Sequence, residues 1–532
     1  MATGQSPTQL QPIASHLTTQ VPTPSSAPSG ASHSQSPLPS GYAANIEPTL
    51  GREYSNEYGE TYKPLAPKKN SKPRIKKLDK SGSVQKEKGS TRENTESEPS
   101  GDAVYQEFLS ALRLEKPNSS GASPAFFDVG SELEKRLFDL FIHEVSKSMN
   151  MFMAGNFFSE LVPEMALLDE TGMIMSSMFS LSALMLQRID PDSIESSVPI
   201  DYYHSTIQSI SHSLSLPSGD DNEGIIARCL VSTILLGVYE MFFLATDNTY
   251  VKGAVSLLTS IIAKSDDQSP LKNSQFLQMC FWAMFICDLI LSLKFNLPAM
   301  FSVKQFWMQI DPQFVEQFTS PVYPAISPRP DDVLFISQKD AVWWLHRVLF
   351  DFSIANEFNS EVVVLTEKEF NTNKSFHDWL AINETLEDFE RNLPQALKPI
   401  IYKPSSNDPN DSYYPTIYYR DELAAMIALH MKLTKVSLYQ GLLQKTNLNS
   451  PEVQGYLKQI PRNHAKLLAK DVIGILRTYD LNTYLWPINI HTIRYVSRYL
   501  HDDEYEYKEL EFFMKRVIET CHFIFQSKKI IG

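Results

Sequence analysis

An all-α body behind a long disordered leader is the architecture this 532-residue sequence predicts. Three observations carry it. Three apolar segments of helix length, Glu223 to Phe243, Tyr250 to Ser260 and Phe276 to Leu293, follow one another with only short polar turns between them. No stretch alternates strictly between apolar and polar residues, and no strand–helix–strand rhythm repeats, so a sheet has no visible framework. The 33 Pro outnumber the 20 Gly, and much of the Pro crowds with Ser, Thr and Gln into the N-terminal fifth, where too little apolar surface exists to repay the entropy of ordering. The expected organisation is a leader over 1–120, with a basic island at 63–88, and a helical body over 126–527.

Taken in order, residues 1 to about 100 show no apolar period. A short helix is expected over Ala103–Leu114, where Tyr105, Phe108, Leu109 and Leu112 share a face. The body opens near Ser131, because Ser131-Glu-Leu-Glu134 has the form of a capping box. Leu133, Leu137, Leu140, Phe141, Val145 and Met149 then recur at helical spacing. Glu170 to Arg188 repeats the pattern, and Pro199 to Leu214 places Tyr203, Ile207, Ile210 and Leu214 on one stripe. The three apolar segments follow. Asn296 to Pro330 is broken by Pro and is expected to be irregular. Helices are expected over 331–358, with Val342, Trp343, Leu345, Leu349, Phe352 and Ile354 apolar, and over 374–393. Pro394 to Pro415 reads as a polar loop. Helices at Tyr418–Gln444, His464–Tyr479, Ile488–Leu500 and Glu504–Gln526 complete the set.

Composition excludes several functions. A net charge of −14 argues against a general polyanion binder. The four cysteines, Cys229, Cys280, Cys287 and Cys521, lie in apolar helical text with no CxxC pair, so no zinc site follows from spacing. The apolar segments carry Arg228, Glu240, Gln278 and Asp288, which a membrane span would have to bury in lipid; interior helices of a folded body are the expectation. No GxSxG, HExxH, P-loop or GxGxxG is present, so no catalytic, cofactor-binding or metal-binding residue is assigned. His143, His346 and His430 read as ordinary helix histidines. Asp502, Asp503, Glu504 and Glu506 read as a solvated helix start or a contact surface for a basic partner. The basic island, with Lys68, Lys69, Lys72, Arg74, Lys76 and Lys77 at its centre, reads as a nuclear-import signal, an arm grazing phosphates, or a solvated linker.

The wording of the body resembles the regulatory domain of fungal zinc-cluster transcription factors, the fungal-specific transcription factor domain. The resemblance lies in a series of elements: Met178-Phe-Ser-Leu-Ser-Ala-Leu-Met185-Leu, Asp201-Tyr-Tyr-His204, Leu235-Leu-Gly-Val-Tyr239-Glu240, Val251-Lys-Gly253-Ala-Val-Ser-Leu257-Leu258, the Trp282 segment, and Tyr484-Leu-Trp486-Pro487. The family-signature core is therefore Leu235, Tyr239, Glu240, Gly253, Leu257, Trp282, Trp486 and Pro487. In such proteins a six-cysteine zinc cluster usually precedes this domain and reads DNA. Here no cysteine stands before Cys229, and Leu78 occupies the place of a cysteine in Lys72-Pro-Arg74-Ile-Lys76-Lys77-Leu78-Asp79, a decayed cluster or a coincidence in Lys-rich text.

The resemblance implies a nuclear transcription regulator with an all-helical regulatory domain and no enzymatic activity. Its expected partners are transcription cofactors or another DNA-binding regulator, a second copy in a homodimer, and DNA indirectly or weakly through the basic arm. A small-molecule effector is a further expectation, with Met175, Phe179, Phe242, Trp282 and Phe285 either lining its pocket or simply packing the core. The alternative is a structural dimeric scaffold of the kind found at kinetochores.

Overall fold

The computed structural model describes residues 54–55, 61–62, 131–153, 155–215, 222–242, 249–295, 297–324, 335–360, 374–406, 412–479, 486–500 and 504–520. Apart from residues 54–55 and 61–62, the leader read as disordered lies outside these residues, as do the basic island and the Ala103–Leu114 helix. The chain divides into two units, Met1–Lys86 and Glu87–Gly532. In the first, β1 (Tyr54–Ser55) pairs antiparallel with β2 (Thr61–Tyr62), Tyr54 opposite Tyr62. Tyr and Thr favour such pairing, but two residues a side leave no periodicity for a sequence reading to find.

The second unit is helical, as the sequence predicts. The helix α1 (Glu132–Leu140) starts at the capping box: Ser131 Oγ accepts from Glu134 N at 3.1 Å, and Glu134 Oε2 accepts from Ser131 N at 3.0 Å. It continues through a π-helical turn, Phe141–Val145, into α2 (Ser146–Asn150). The turn has a reason. Leu137, Phe141, Val145 and Met149 are all buried at a strict four-residue spacing. On an α-helix each such step over-rotates by about 40°, and a wider turn takes the drift back.

A second π turn, Phe157–Leu161, leads into α3 (Val162–Leu168), followed by α4 (Met173–Ile189), α5 (Val198–Ser215), α6 (Asn222–Phe242) and α7 (Thr249–Lys264). Between α3 and α4 the chain turns through Gly172 at φ 66°, a left-handed conformation that glycine adopts without strain. Asp169, buried, holds that turn by accepting from Thr171 N at 3.1 Å and Ile174 N at 3.0 Å. The short α8 (Pro270–Asn273) precedes α9 (Gln275–Phe295), whose residues from Phe276 to Leu293 are nearly all buried. This is the centre of the core. Each large apolar side chain buried there contributes about 1.5–3 kcal/mol against the cost of ordering the chain. Both α6 and α9 are long and apolar enough to cross a membrane, and 83% and 94% of their apolar windows are buried inside the body.

The stretch from Asn296 to Pro330, expected to be irregular, contains a π turn at Val303–Trp307, α10 (Met308–Ile310) and α11 (Pro312–Thr319). Pro312 is compatible because it stands at the first turn of α11, where an amide hydrogen has no helical partner. Asp311 serves two helices, accepting from Ser269 Oγ at 2.6 Å, Leu271 N at 3.0 Å and Phe314 N at 3.0 Å. The long α12 (Gln338–Ser360) buries Trp344 rather than Trp343, which is half-buried. It packs along α14 (Glu422–Lys445), and α13 (Lys374–Asn392) also lies against α14.

Pro394 to Pro415 is not a plain loop. A 3-10 turn at Gln395–Leu397 leads to β3 (Ile401–Lys403), which pairs antiparallel with β4 (Thr416–Tyr418), so Tyr418 belongs to a strand and not to the following helix. The helix begins at Glu422 because Asp421 Oδ1 accepts from Ala424 N at 2.9 Å. The chain closes with α15 (Pro451–Leu457), α16 (His464–Thr478), α17 (Trp486–Ser497) and α18 (Glu504–Thr520).

Two further readings are corrected. On α5 the stripe Tyr203, Ile207, Ile210, Leu214 is not the buried face; Pro199, Thr206 and Ser213 are buried, while Leu214 is 43% exposed. Small side chains let α5 lie close on α4, and apolarity alone does not reveal that face. Glu506, read in an acidic solvated cluster, is buried and faces Lys466 at 2.9 Å and Lys470 at 3.4 Å. A buried carboxylate requires such partners.

Candidate functional site

Two of the signature residues, Tyr239 and Glu240, meet Tyr203 and Tyr250 where α5, α6 and α7 come together. Tyr203 of α5 donates its hydroxyl proton to Glu240 Oε1 at 2.6 Å. That proton is then spent, so the Tyr250 hydroxyl of α7 donates to the Tyr203 oxygen in their mutual hydrogen bond. Tyr239 stacks on the Tyr203 ring at 4.8 Å and 29°. Burial first, then the neighbouring Tyr250 and Glu240, hold the Tyr203 phenol far above its usual range. Tyr239 is raised as well, burial again leading and Glu240 adding to it. The Tyr203 and Tyr239 phenols therefore keep their protons at neutral pH.

Positive charge gathers beside this cluster. Burial, and Arg494 of α17, push the Lys294 ammonium at the end of α9 down to about 8, while Glu240 works the other way. Burial together with Lys294 and Arg494 pushes His491 down to about 3, so it is neutral. On the other flank, Tyr202 donates to Glu134 Oε1 at 3.3 Å, joining α5 to the capping box that begins the body. Polar contacts thus tie α5 to α1, α6 and α7, and the charges of Lys294 and Arg494 on α9 and α17 act on this region electrostatically.

Leu235, Leu257 and Trp282 lie in the same hydrophobic core as Tyr239. Leu235 and Tyr239 are buried on α6, and Leu257 is partly buried on α7 against the same core. Gly253 lies against Thr233, where a Cβ would stand 3.5 Å from the Thr233 methyl, an ordinary contact. Trp282 is buried on α9 and stacks on His346 at 3.6 Å and 11°; His346 Nε2 donates to the Phe152 carbonyl at 2.8 Å. Trp486 and Pro487 begin α17, and their side chains lie outside the described residues, as do Phe242 and the basic residues Lys68, Lys69, Lys72, Arg74, Lys76 and Lys77.

The sequence singled out Tyr239 and Glu240, and quoted Tyr203, but could not join them to Tyr250 and Lys294. It also named Asp288, which proves to be 3% exposed and accepts from Met300 N at 2.9 Å and Phe301 N at 3.1 Å. Glu357 beside it accepts from Val303 N at 2.7 Å and Ser302 Oγ at 2.8 Å, and Asn356 donates to the Leu297 carbonyl at 3.0 Å. Burial pushes the Asp288 carboxyl up to about 6 against those amides, and pushes Glu357 up too. This second cluster clamps the connection after α9.

Chemically both clusters hold helices together. In each, the carboxylates accept hydrogen bonds from tyrosines, seryl groups or backbone amides, and no group of three metal-ligating side chains occurs among the described residues. Of the residues proposed for an effector pocket, Met175, Phe179, Trp282 and Phe285 are buried. Phe179 packs edge-on to Tyr202, while Trp282 and Phe285 share an aromatic cluster with Phe281, Phe318 and Phe350. A surface cleft of about 830 Å³ lies elsewhere, lined by Gln313, Glu316, Gln317, Tyr323 and Trp343 among others.

Residues 136–322 match the fungal-specific transcription factor domain, a span that holds the α5–α6–α7 latch and the Trp282 helix but not Trp486 and Pro487. No curated protein matches the chain, and no solved structure does. The matched span is similar to a fungal-specific transcription factor domain, a kind of domain that implies transcription regulation.

Proposed function

We propose that the chain is a nuclear regulator that acts through its helical body and takes sequence-specific DNA contact from a partner. The observation that carries this reading is the fate of its cysteines. The chain has four, none before Cys229, and Cys229, Cys280 and Cys287 are buried within α6 and α9. Burial pushes Cys229 up to about 12, where it stays a thiol, and zinc binds thiolate. A six-cysteine DNA reader has no ligands to draw on within this sequence. The partner is another DNA-binding regulator or a transcription cofactor, with the body serving dimerisation, recruitment or effector sensing and performing no catalysis of its own.

The basic residues Lys68, Lys69, Lys72, Arg74, Lys76 and Lys77 serve nuclear import and add a sequence-blind attraction to phosphate. Titration of the purified full chain against duplex DNAs of unrelated sequence tests the division of labour. Weak binding that ignores sequence, falls steeply with salt, and disappears on deleting residues 1–100 is expected. Sequence-selective binding by the chain alone would defeat the partner requirement.

A further inference from the structure

The helix α5 carries two faces one residue apart. Pro199, Thr206 and Ser213, at a seven-residue spacing, are buried against the body. The next residue in each case, Ile200, Ile207 and Leu214, stands about 100° further round the helix, and Ile210 lies between the two faces. Ile200 and Leu214 are 41% and 43% exposed, and Ile207 and Ile210 are partly exposed. None of these four belongs to either hydrophobic cluster of the described residues. They form an apolar stripe at helical spacing that the described core does not absorb.

A second stretch of this chain has a matching stripe. Residues 103–114, outside the described residues, carry Tyr105, Phe108, Leu109 and Leu112 at helical spacing. A helix of that length spans about 18 Å and is marginal in water unless its stripe is buried, while the 18 residues of α5 offer about 27 Å. The path between the two is short. The body begins at Ser131, and Tyr202 of α5 donates to Glu134 Oε1 at 3.3 Å, so the chain enters the body beside α5. Residues 115–130 can reach about 50 Å, more than the whole length of α5.

We propose that residues 103–114 dock as a helix along the outer stripe of α5, with Phe108 and Leu112 against Ile207, Ile210 and Leu214. Covalent attachment selects this occupant. A tethered segment is held at an effective concentration on the order of millimolar, so a small apolar contact suffices to keep it in place. A second copy of the chain has no such advantage, and four partly exposed side chains fall short of the roughly 800 Å² per partner that a stable interface buries. This docking does not depend on the regulatory role proposed above, since it involves only the chain packing on itself.

Limited trypsin digestion of the full chain tests it. Arg113 is the cleavage point in the segment, since Lys116 precedes Pro117 and resists trypsin. Docking shields Arg113, so Ile207→Glu, which sets a charge in the apolar contact, should speed cleavage there by about tenfold. Phe108→Glu should do the same from the other side, and the double variant should add little to either. Gln208→Glu, on the exposed side of α5, should leave the rate unchanged. Retained helical circular dichroism establishes that the variants fold. Cross-linking then identifies the occupant. In a chain carrying Cys521→Ser, Gln106→Cys and Ser211→Cys, a short bis-maleimide should join positions 106 and 211 within one chain, which stays monomeric on a denaturing gel. Equal cleavage after Arg113 in wild type and Ile207→Glu, or absence of the 106–211 link, would overturn the proposal. So would a cross-linked dimer formed through Ser211→Cys alone, because a second copy would then cover α5.

Discussion

If Tyr203, Glu240 and Tyr250 form a latch, removing one oxygen atom from its middle should cost more than removing one from its edge. Tyr203→Phe leaves the ring stacked on Tyr239 but deletes the hydroxyl that donates to Glu240 and accepts from Tyr250. Two groups lose a partner at once, one of them a carboxylate. A hydrogen bond to a charged group contributes about 1.5–3 kcal/mol, so a loss of about 2–3 kcal/mol is expected. Tyr250→Phe removes only the outer donor, and about 1 kcal/mol should go. The pair is coupled, so the double variant should cost less than the two single losses added together. Urea unfolding of the full chain, followed by circular dichroism, measures all three.

The pH dependence gives an independent readout. The Tyr203 phenol is held above its ordinary value of 10.0, so its stabilisation is complete below pH 10 and fades as pH rises beyond it. The gap between wild type and Tyr203→Phe should therefore narrow above pH 10. A Tyr203→Phe cost under about 0.5 kcal/mol, or one no greater than that of Tyr250→Phe, would refute the latch.

Other consequences follow from burial and close approach. His346, His430 and His491 are pushed down to about 3, 4 and 3 from an ordinary 6.5, so the unfolded chain takes up protons that the folded chain refuses, and stability falls as pH drops below 6.5. Asp288 and Asp351, pushed up to about 6, oppose that trend: their stabilisation is full below 3.8 and fades as pH rises through 6. His346→Phe keeps a ring against Trp282 and should flatten the acid side by up to about 1.4 kcal/mol per pH unit, read from urea midpoints between pH 4 and 6.5. In α16, a Cβ at Gly474 would overlap the Pro415 carbonyl oxygen, so Gly474→Ala should cost about 3 kcal/mol; at Gly441 of α14 the close contact is with the Phe358 side chain at 2.9 Å, the Asn359 backbone standing at an ordinary 3.7 Å, and about 1 kcal/mol is expected. Gly455 of α15 faces open space, and Gly455→Ala should stabilise by about 0.5–1 kcal/mol. Replacing Lys68, Lys69, Arg74, Lys76 and Lys77 by Ala should leave a fluorescent fusion in the cytoplasm; an unchanged nuclear signal would end the import reading.

Much of the fold was legible because its signals are local. The Ser131–Glu134 box, the Leu137–Met149 period and the uninterrupted apolar text of α9 each specify a helix within a few turns of chain. What was not legible depends on distance or on small residues. The strand β3 has three residues in Pro- and Asn-rich surroundings, and Tyr418 merges with the helical period that follows it. The buried face of α5 is built on Thr206 and Ser213, which no hydrophobic stripe reveals. The latch was half legible: Tyr239-Glu240 appeared as a motif, but Tyr203 and Tyr250 reach it from separate helices, and only the tertiary fold brings the three together. Glu506 was misplaced for the same reason, since Lys466 and Lys470, its partners, stand on another helix.

On the proposed function, the helical body acts on transcription while another protein reads the DNA sequence. Chromatin profiling of the tagged chain, with and without residues 1–100, addresses it most directly. The account predicts occupancy at many promoters, sharing the recognition sequence of a second regulator and lost when that regulator is removed. Occupancy confined to one centromeric peak per chromosome would contradict it and favour a structural scaffold.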